Sequence, residues 1–393
     1  MVRVVILGAG YAGVRAAQAL HGRREGVEVV LVDRGRSHGI VMEMHKVAAG
    51  TSARRRAEVP LHRLLPHARD LWLVQAEVTG IDWRRRTVRT AQGDVAYDFA
   101  LICLGGRPAY FDVPGVREHA FTLHYLDSAA LLRRRLRRLA RTGGGLIVVG
   151  GSGLTGVDLA GAIAAAHPGV FQITVVQAAG QLLPEGDPHV GAYAEQALAL
   201  DGVAVRLDAR IRRVRAHAVD LDSGGVLPAD LVVWAGGVQG NPLPQLAGLP
   251  VDARGRLQAE PTLEVVGHPG LFAAGDAAAI PGPTGLSLPA TAQLAVQEGA
   301  RAARNMLGLL AGLEMQPLRP RILGLTATLG RGQAIARPGR LRLTGRSALA
   351  LHELALLRYL YGIGGIGLLR EEGYLHGTRP AVAASYGRHA ARR

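Results

Sequence analysis

The apolar residues of this chain gather in short runs. Val4 to Leu7, Val27 to Val32, Leu146 to Val149 and Gln172 to Val176 are mostly apolar, and they stop at Gly8, Asp33, Gly150 and Gln177. Runs of this kind suit strands buried on both faces of a parallel sheet. Between them lie segments with helical spacing: VRAAQALHG after the first run, LLRRRLRRLAR before the third and VDLAGAIAAA after it. The alternation predicts an α/β fold. No stretch of about 18 uncharged apolar residues occurs, so no membrane-spanning helix is expected. Met1-Val2-Arg3 runs directly into the first strand-like segment without a signal-peptide pattern, and a cytoplasmic location is expected.

Length and composition refine this picture. The chain has 393 residues, beyond the size at which one hydrophobic core keeps growing, which predicts two domains and a smaller appendage. Its 53 glycines suit an architecture full of tight strand-to-helix turns. The formal charge of +15 could mark a surface for nucleic acid or anionic lipid, yet Lys46 is the only lysine, so the excess is arginine throughout. That reads as compositional bias, and no nucleic-acid partner is expected. The densest cluster, Arg133 to Arg138 with Arg141, reads as the solvated face of a helix. Cys103 is the single cysteine, which excludes electron transfer through a redox-active pair within the chain. Its apolar run, Ala100 to Leu104, makes it a core strand residue.

Candidate chemistry begins where the first run ends. Gly8-Ala9-Gly10-Tyr11-Ala12-Gly13 follows Leu7 directly. Gly8 permits a sharp turn, Gly10 lets backbone approach a pyrophosphate, and Gly13 lets the following helix pack closely on the strand. The helix N-terminus offers free N–H groups and a positive dipole end to phosphates. The second run delivers Asp33, 20 residues beyond Gly13, where a carboxylate can accept ribose hydroxyls. The pattern returns at Gly150, followed by Gly151-Ser152-Gly153-Leu154-Thr155-Gly156, but there the next strand ends on the neutral Gln177. Two dinucleotide sites in one chain imply one prosthetic group and one exchangeable cosubstrate. A third element, Gly270-Leu271-Phe272-Ala273-Ala274-Gly275-Asp276, can place the Asp276 carboxylate on a ribityl hydroxyl, with a helix starting near Leu288 aimed at the ring.

These residues resemble the two-dinucleotide-domain flavoproteins, the FAD/NAD(P)-dependent pyridine nucleotide oxidoreductases. Tyr97-Asp98 through Gly105-Gly106 matches the crossover into an inserted domain, and Leu231 to Val238 the crossover back. Within that superfamily the run Ala290-Thr291-Ala292-Gln293-Leu294-Ala295-Val296-Gln297-Glu298-Gly299 resembles the quinone-site motif of the type II NADH:quinone oxidoreductases. Leu182-Leu183-Pro184, Trp234 to Leu243, Ala327 to Arg331 and Leu343-Thr344-Gly345 match as well. The resemblance implies FAD on the first fingerprint, with Val78, Gly105 and Ala292 beside it. It implies NADH or NADPH on the second, with Gly236 adjoining, and Asp158 in place of a glutamate next to flavin and nicotinamide. Gln293 and Gln297 lie four apart, so their neutral amides share a helix face on which they could orient a quinone.

The sequence departs from the family at His38 to Gly50, where the spacing survives, the family's aromatic and proline content does not, and Glu43 and His45 enter. They would alter the electrostatics near the isoalloxazine; no metal site is expected. The implied architecture is two Rossmann-like domains, the second inserted in the first. An FAD domain takes residues 1–108 and 264–325, an NAD(P)H domain takes 109–263, and a module at 326–393 serves a membrane surface or a homodimer. In the family this last region attaches the enzyme to the membrane, which would place the chain peripherally on the inner face. Two rival functions stay open: a soluble reductase feeding a protein acceptor such as a ferredoxin, and a binding protein that responds to NAD(P)H.

Overall fold

The computed structural model describes residues 1–65, 68–184, 187–283 and 285–371. In chain order, the elements that frame the candidate sites begin with β1 (Val2–Leu7), α1 (Tyr11–Leu20), β2 (Val27–Asp33), α2 (Val41–Ala49), β3 (Leu71–Gln75) and β4 (Phe99–Ile102). Next come β5 (Ala120–Thr122), α3 (Leu126–Arg141), β6 (Gly145–Gly150), α4 (Leu154–Ala166), β7 (Phe171–Val176), β8 (Val203–Arg206) and β9 (Leu231–Trp234). The last are β10 (Leu271–Ala273), α5 (Ala292–Leu310), β11 (Leu325–Thr328), β12 (Ala334–Arg337) and α6 (Gly345–Glu371). The alternation read from the sequence is the alternation of the fold.

By their internal contacts the residues form two compact units. The first holds 1–39, 59–107 and 238–322; the second holds 40–58, 108–237 and 323 onward. These units do not follow the divisions drawn from the sequence: 40–58 clusters with the second, and 238–263 with the first. Beyond Glu371 the expected C-terminal module lies outside the described residues.

In the first unit a five-stranded sheet runs β10-β4-β1-β2-β3, with every pairing parallel. Val4, Val5, Ile6 and Leu7 are all fully buried, which is why the run contains no polar residue. A three-stranded antiparallel sheet, Val78–Asp82, Thr87–Thr90 and Gly93–Ala96, accompanies it.

The second unit repeats this plan with a parallel sheet in the order β5-β9-β6-β7-β8 and an antiparallel sheet of three strands. Its two faces bury different residues. Ile147, Val149, Ile173, Val175 and Val233 enter one core, Val148, Val176, Val232 and Trp234 the other. That is the two-residue period of a strand covered on both sides. The arginine-rich helix α3 buries Ala129, Leu132, Leu136 and Leu139 and leaves Arg134, Arg137, Arg138 and Arg141 exposed, as its pattern predicts. Strands β11 and β12 pair antiparallel and lead into α6, which is broken at Gly365 (φ 64). Among the described residues no helix is long and apolar enough to cross a membrane.

Candidate functional site

The first glycine turn shows three glycines with three duties. Gly8 has φ 105, and a Cβ there would lie 2.5 Å from the Cys103 carbonyl oxygen. A Cβ on Gly13 would lie 1.9 Å from the Gly8 oxygen, so a side chain there would push α1 off β1. Gly10 has nothing within 4 Å of where its Cβ would be. Two glycines are therefore needed by the protein's own packing, and the third leaves an open approach at the N-terminus of α1. Asp33, at the end of β2, accepts the Ala9 N–H at Oδ2 (2.7 Å) and the Gly35 N–H at Oδ1 (2.6 Å). It braces the turn while each oxygen keeps a further lone pair for a ribose. His38, fully buried, sets Nδ1 3.0 Å from the Ala9 carbonyl and its ring edge-on to Tyr11 at 4.8 Å. Burial pulls its pKa down to about 4, so the ring is neutral and Nδ1–H donates. Cys103 is buried as expected, though one residue past the end of β4 and not in the strand, and burial pushes its thiol up, away from reactivity.

The Gly-Asp element closes the same unit. Asp276 sits partly buried in the short turn Gly275–Ala277 that follows β10. The helix expected near Leu288 begins four residues later, at Ala292, because the Thr291 hydroxyl caps it by accepting the Leu294 N–H (3.4 Å). Val78 opens the antiparallel sheet, buried, and Gly105 (φ 68) has open space where a Cβ would be. Ala292 and Gln293 occupy the first turn of α5, partly buried. One turn on, the amide of Gln297 is engaged by its own chain: Nε2 donates to the Gln293 and Arg321 carbonyls, and Oε1 accepts the Arg321 N–H, each at 2.9 Å. In this conformation Gln297 pins the segment at Arg321 and has no N–H left to offer. The sequence reading passed over Glu298, whose Oε2 accepts the Gly275 N–H at 2.6 Å. Its four-residue spacing from the apolar Leu294 and Ala302 was a usable signal that it lies on the buried stripe.

The second turn repeats the first. Gly151 has φ 103, with a hypothetical Cβ 2.4 Å from the Ala235 oxygen; Gly156 would meet the Gly151 oxygen at 2.0 Å; Gly153 meets nothing within 4 Å. Between them Ser152 is 1% exposed and its hydroxyl has no partner among the described residues. A buried hydroxyl beside an open helix N-terminus is a group waiting for an acceptor such as a phosphate oxygen. Leu154 and Thr155 expose the first turn of α4. Gly236 passes so close to Trp234 that a Cβ would come within 2.8 Å of its ring. Gln177 follows β7, partly exposed, and its backbone N–H donates to the carbonyl of Arg206 on β8.

Asp158 lies just over one turn into α4. Its Oδ1 accepts both the backbone N–H (2.5 Å) and the hydroxyl (2.9 Å) of Thr328, whose oxygen also lies 3.0 Å from His45 Nε2. Burial pushes the Asp158 pKa up to about 7 against the opposing Thr328 bonds and Lys46. Glu43 and His45, expected beside a flavin, are both buried within the second unit; Lys46 pairs with Glu43 (2.6 Å) and Glu353 (3.1 Å). No group of described residues has the makings of a metal site.

A type II NADH:quinone oxidoreductase of Staphylococcus aureus (strain NCTC 8325 / PS 47) is 29% identical over 94% of this chain and 98% of its own length. One of Staphylococcus haemolyticus is 27% identical over the same shares. The fold is that of NDH2 from Plasmodium falciparum in complex with NADH, with a TM-score of 0.84 at 16% identity, covering 94% of this chain and 97% of that one. Residues 2–299 match the family model described as pyridine nucleotide-disulphide oxidoreductase, and the span includes both glycine turns and the Gly-Asp element. With its paired parallel sheets and duplicated turn, this chain belongs to the pyridine nucleotide-disulphide oxidoreductase family.

Proposed function

We propose that the chain is an FAD-dependent NAD(P)H:quinone oxidoreductase that pumps no protons. The observation that carries the redox reading is the pair of open glycine turns, at Gly10 and Gly153, each kept open while its neighbours are packed shut. Quinone as the acceptor is supported by the relatives that span 94% of the chain. FAD, when bound, supplies a ring that accepts two electrons as hydride from one partner and yields them to another. Gly8, Gly10, Tyr11, Ala12, Gly13 and Asp33 hold its adenosine and pyrophosphate side, and Val78, Gly105, Gly275, Asp276 and Ala292 the remainder. Gly151 to Gly156, Gln177 and Gly236 hold the cosubstrate, Asp158 is the acidic group of that domain, and Gln293 faces the acceptor. FAD-binding and NAD(P)H-binding domains correspond to the first and second glycine turns. Purified protein should be yellow and oxidise NADH with soluble quinones; a colourless protein, or one active only with ferredoxin or oxygen, overturns the reading.

Cosubstrate choice follows from Gln177. An acid here would hold the ribose hydroxyls and repel a 2′-phosphate, whereas a neutral amide holds the hydroxyls and repels nothing. Arg206, exposed on the adjacent strand, adds positive charge at the same sheet end. NADH and NADPH are both accepted, with discrimination below about tenfold, or about 1.4 kcal/mol. Gln177→Glu should penalise NADPH and spare NADH. Measuring kcat/KM for both donors in both proteins decides it, and a wild-type preference above roughly a hundredfold overturns it.

The chain further associates with the inner face of the cell membrane through α6, where Leu354 (58% exposed), the exposed Arg358 and Tyr361 (60% exposed) recur on one helical face. Leu354→Glu with Tyr361→Glu should lower co-sedimentation with anionic vesicles roughly tenfold. Unchanged sedimentation, with the double variant altering only a monomer–dimer equilibrium, would assign this face to a homodimer instead.

A further inference from the structure

Glu298 sits on the face of α5 that also buries Leu294, Ala295, Gly299 and Ala302, and it is 3% exposed. A carboxyl on such a face is costly to bury without a hydrogen-bonded task. Its task is visible at Gly275. Strand β10 ends at Ala273, and Ala274 makes the last backbone bond toward β4, donating to the Ile102 carbonyl at 3.2 Å. Beyond that point the ladder offers no acceptor, and the Gly275 N–H goes to Glu298 Oε2 at 2.6 Å. Gly275 is also where the backbone turns, with φ 69, and the next residue is Asp276. The junction has no slack: a Cβ on Gly299 would lie 2.1 Å from the Ala12 oxygen, and one on Gly275 would touch Ala12 and Ala295 at 3.6 and 3.7 Å.

We propose that Glu298 is the positioning residue for Asp276. By anchoring the Gly275 N–H it fixes the turn from which the Asp276 carboxylate reaches the hydroxyl-bearing chain of the prosthetic group, and so governs how tightly that group is retained. The inference rests on the reading of Asp276 as a flavin ligand. The role needs an acceptor oxygen at the right reach and does not need a charge. An amide serves, and a shorter carboxylate does not.

The test uses the full chain, stripped of flavin and titrated with FAD by fluorescence quenching. Glu298→Ala should weaken FAD binding roughly tenfold or more, the cost of leaving one buried N–H without an acceptor, while Glu298→Gln stays within about threefold of wild type. In an Asp276→Ala background the same Glu298→Ala change should alter affinity by less than about twofold, because its effect passes through Asp276. Equal losses in both backgrounds would assign Glu298 to general packing and overturn the proposal, as would unchanged affinity in the alanine variant. If that variant does not fold, Glu298→Asp, one methylene short of the Gly275 N–H, carries the comparison with Glu298→Gln. Parity between those two is then the overturning result. Wild-type protein that fails to bind FAD at all would remove the underlying reading, a separate outcome from any of these.

Discussion

Gly10→Val should yield a folded protein without flavin, its affinity for FAD reduced at least about a hundredfold, or about 2.7 kcal/mol. The backbone at Gly10 is extended (φ −73, ψ −167), and no atom lies within 4 Å of the place a Cβ would take, so the chain itself has no objection to a side chain. What a branched side chain fills is the approach that a pyrophosphate needs. Gly13→Val is the contrasting case, because its Cβ would overlap the Gly8 carbonyl oxygen at 1.9 Å and the helix could not dock. The first variant should match deflavinated wild type in near-ultraviolet circular dichroism and melting temperature, since loss of a ligand alone lowers apparent stability. The second should not accumulate as folded protein. Gly10→Val isolated with a full complement of flavin would move the prosthetic group elsewhere.

The second large effect is on stability, and its sign follows from two carboxyls. Burial pushes Asp158 up from 3.8 to about 7, and Glu298 up from 4.5 to about 7 with help from neighbouring Asp276. A carboxyl whose pKa is raised by folding binds its proton more tightly in the native state. Its contribution is complete below its unfolded value and is lost as pH rises through the folded one. His38, pulled down to about 4, acts in the opposite sense by losing stability as pH falls below its ordinary value, so the wild-type profile mixes the two. Comparison with variants separates them. Asp158→Asn and Glu298→Gln should each gain on the wild type as pH rises from about 4 to about 7, by on the order of 3 kcal/mol. Chemical denaturation at matched pH values measures the gain. A difference that stays flat across that window would mean these groups titrate normally.

What the sequence disclosed and what it withheld divide along a physical line. The parallel strands, the glycine turns and the helix after the first turn were legible because local sterics and a two- or 3.6-residue period dictate them, although that helix starts at Tyr11 and not at the Val14 of the expected segment. The partners of individual polar groups were not. Nothing between residues 38 and 50 announces that His45 will meet Thr328, 283 positions later, or that Lys46 will lie between Glu43 and Glu353. Gln297 shows the same gap: its spacing from Gln293 is local and was read correctly, while its engagement with Arg321 depends on a returning segment. Glu298 fell in between, since helical spacing placed it on the buried stripe but only tertiary structure supplies Gly275.

The duplicated turn bears on how the two halves of the chain can diverge. Gly8 and Gly151 share φ values of 105 and 103, and Gly13 and Gly156 face a carbonyl oxygen at 1.9 and 2.0 Å. At those four positions the backbone leaves no volume for mutation to explore, and drift has nothing to work on. At the strand ends there is room, and there the copies differ, Asp33 in one and Gln177 in the other. Selection on nucleotide chemistry can act only where sterics have not already decided, so the record of what each half was adapted to bind is written at the rim of the turn and not within it.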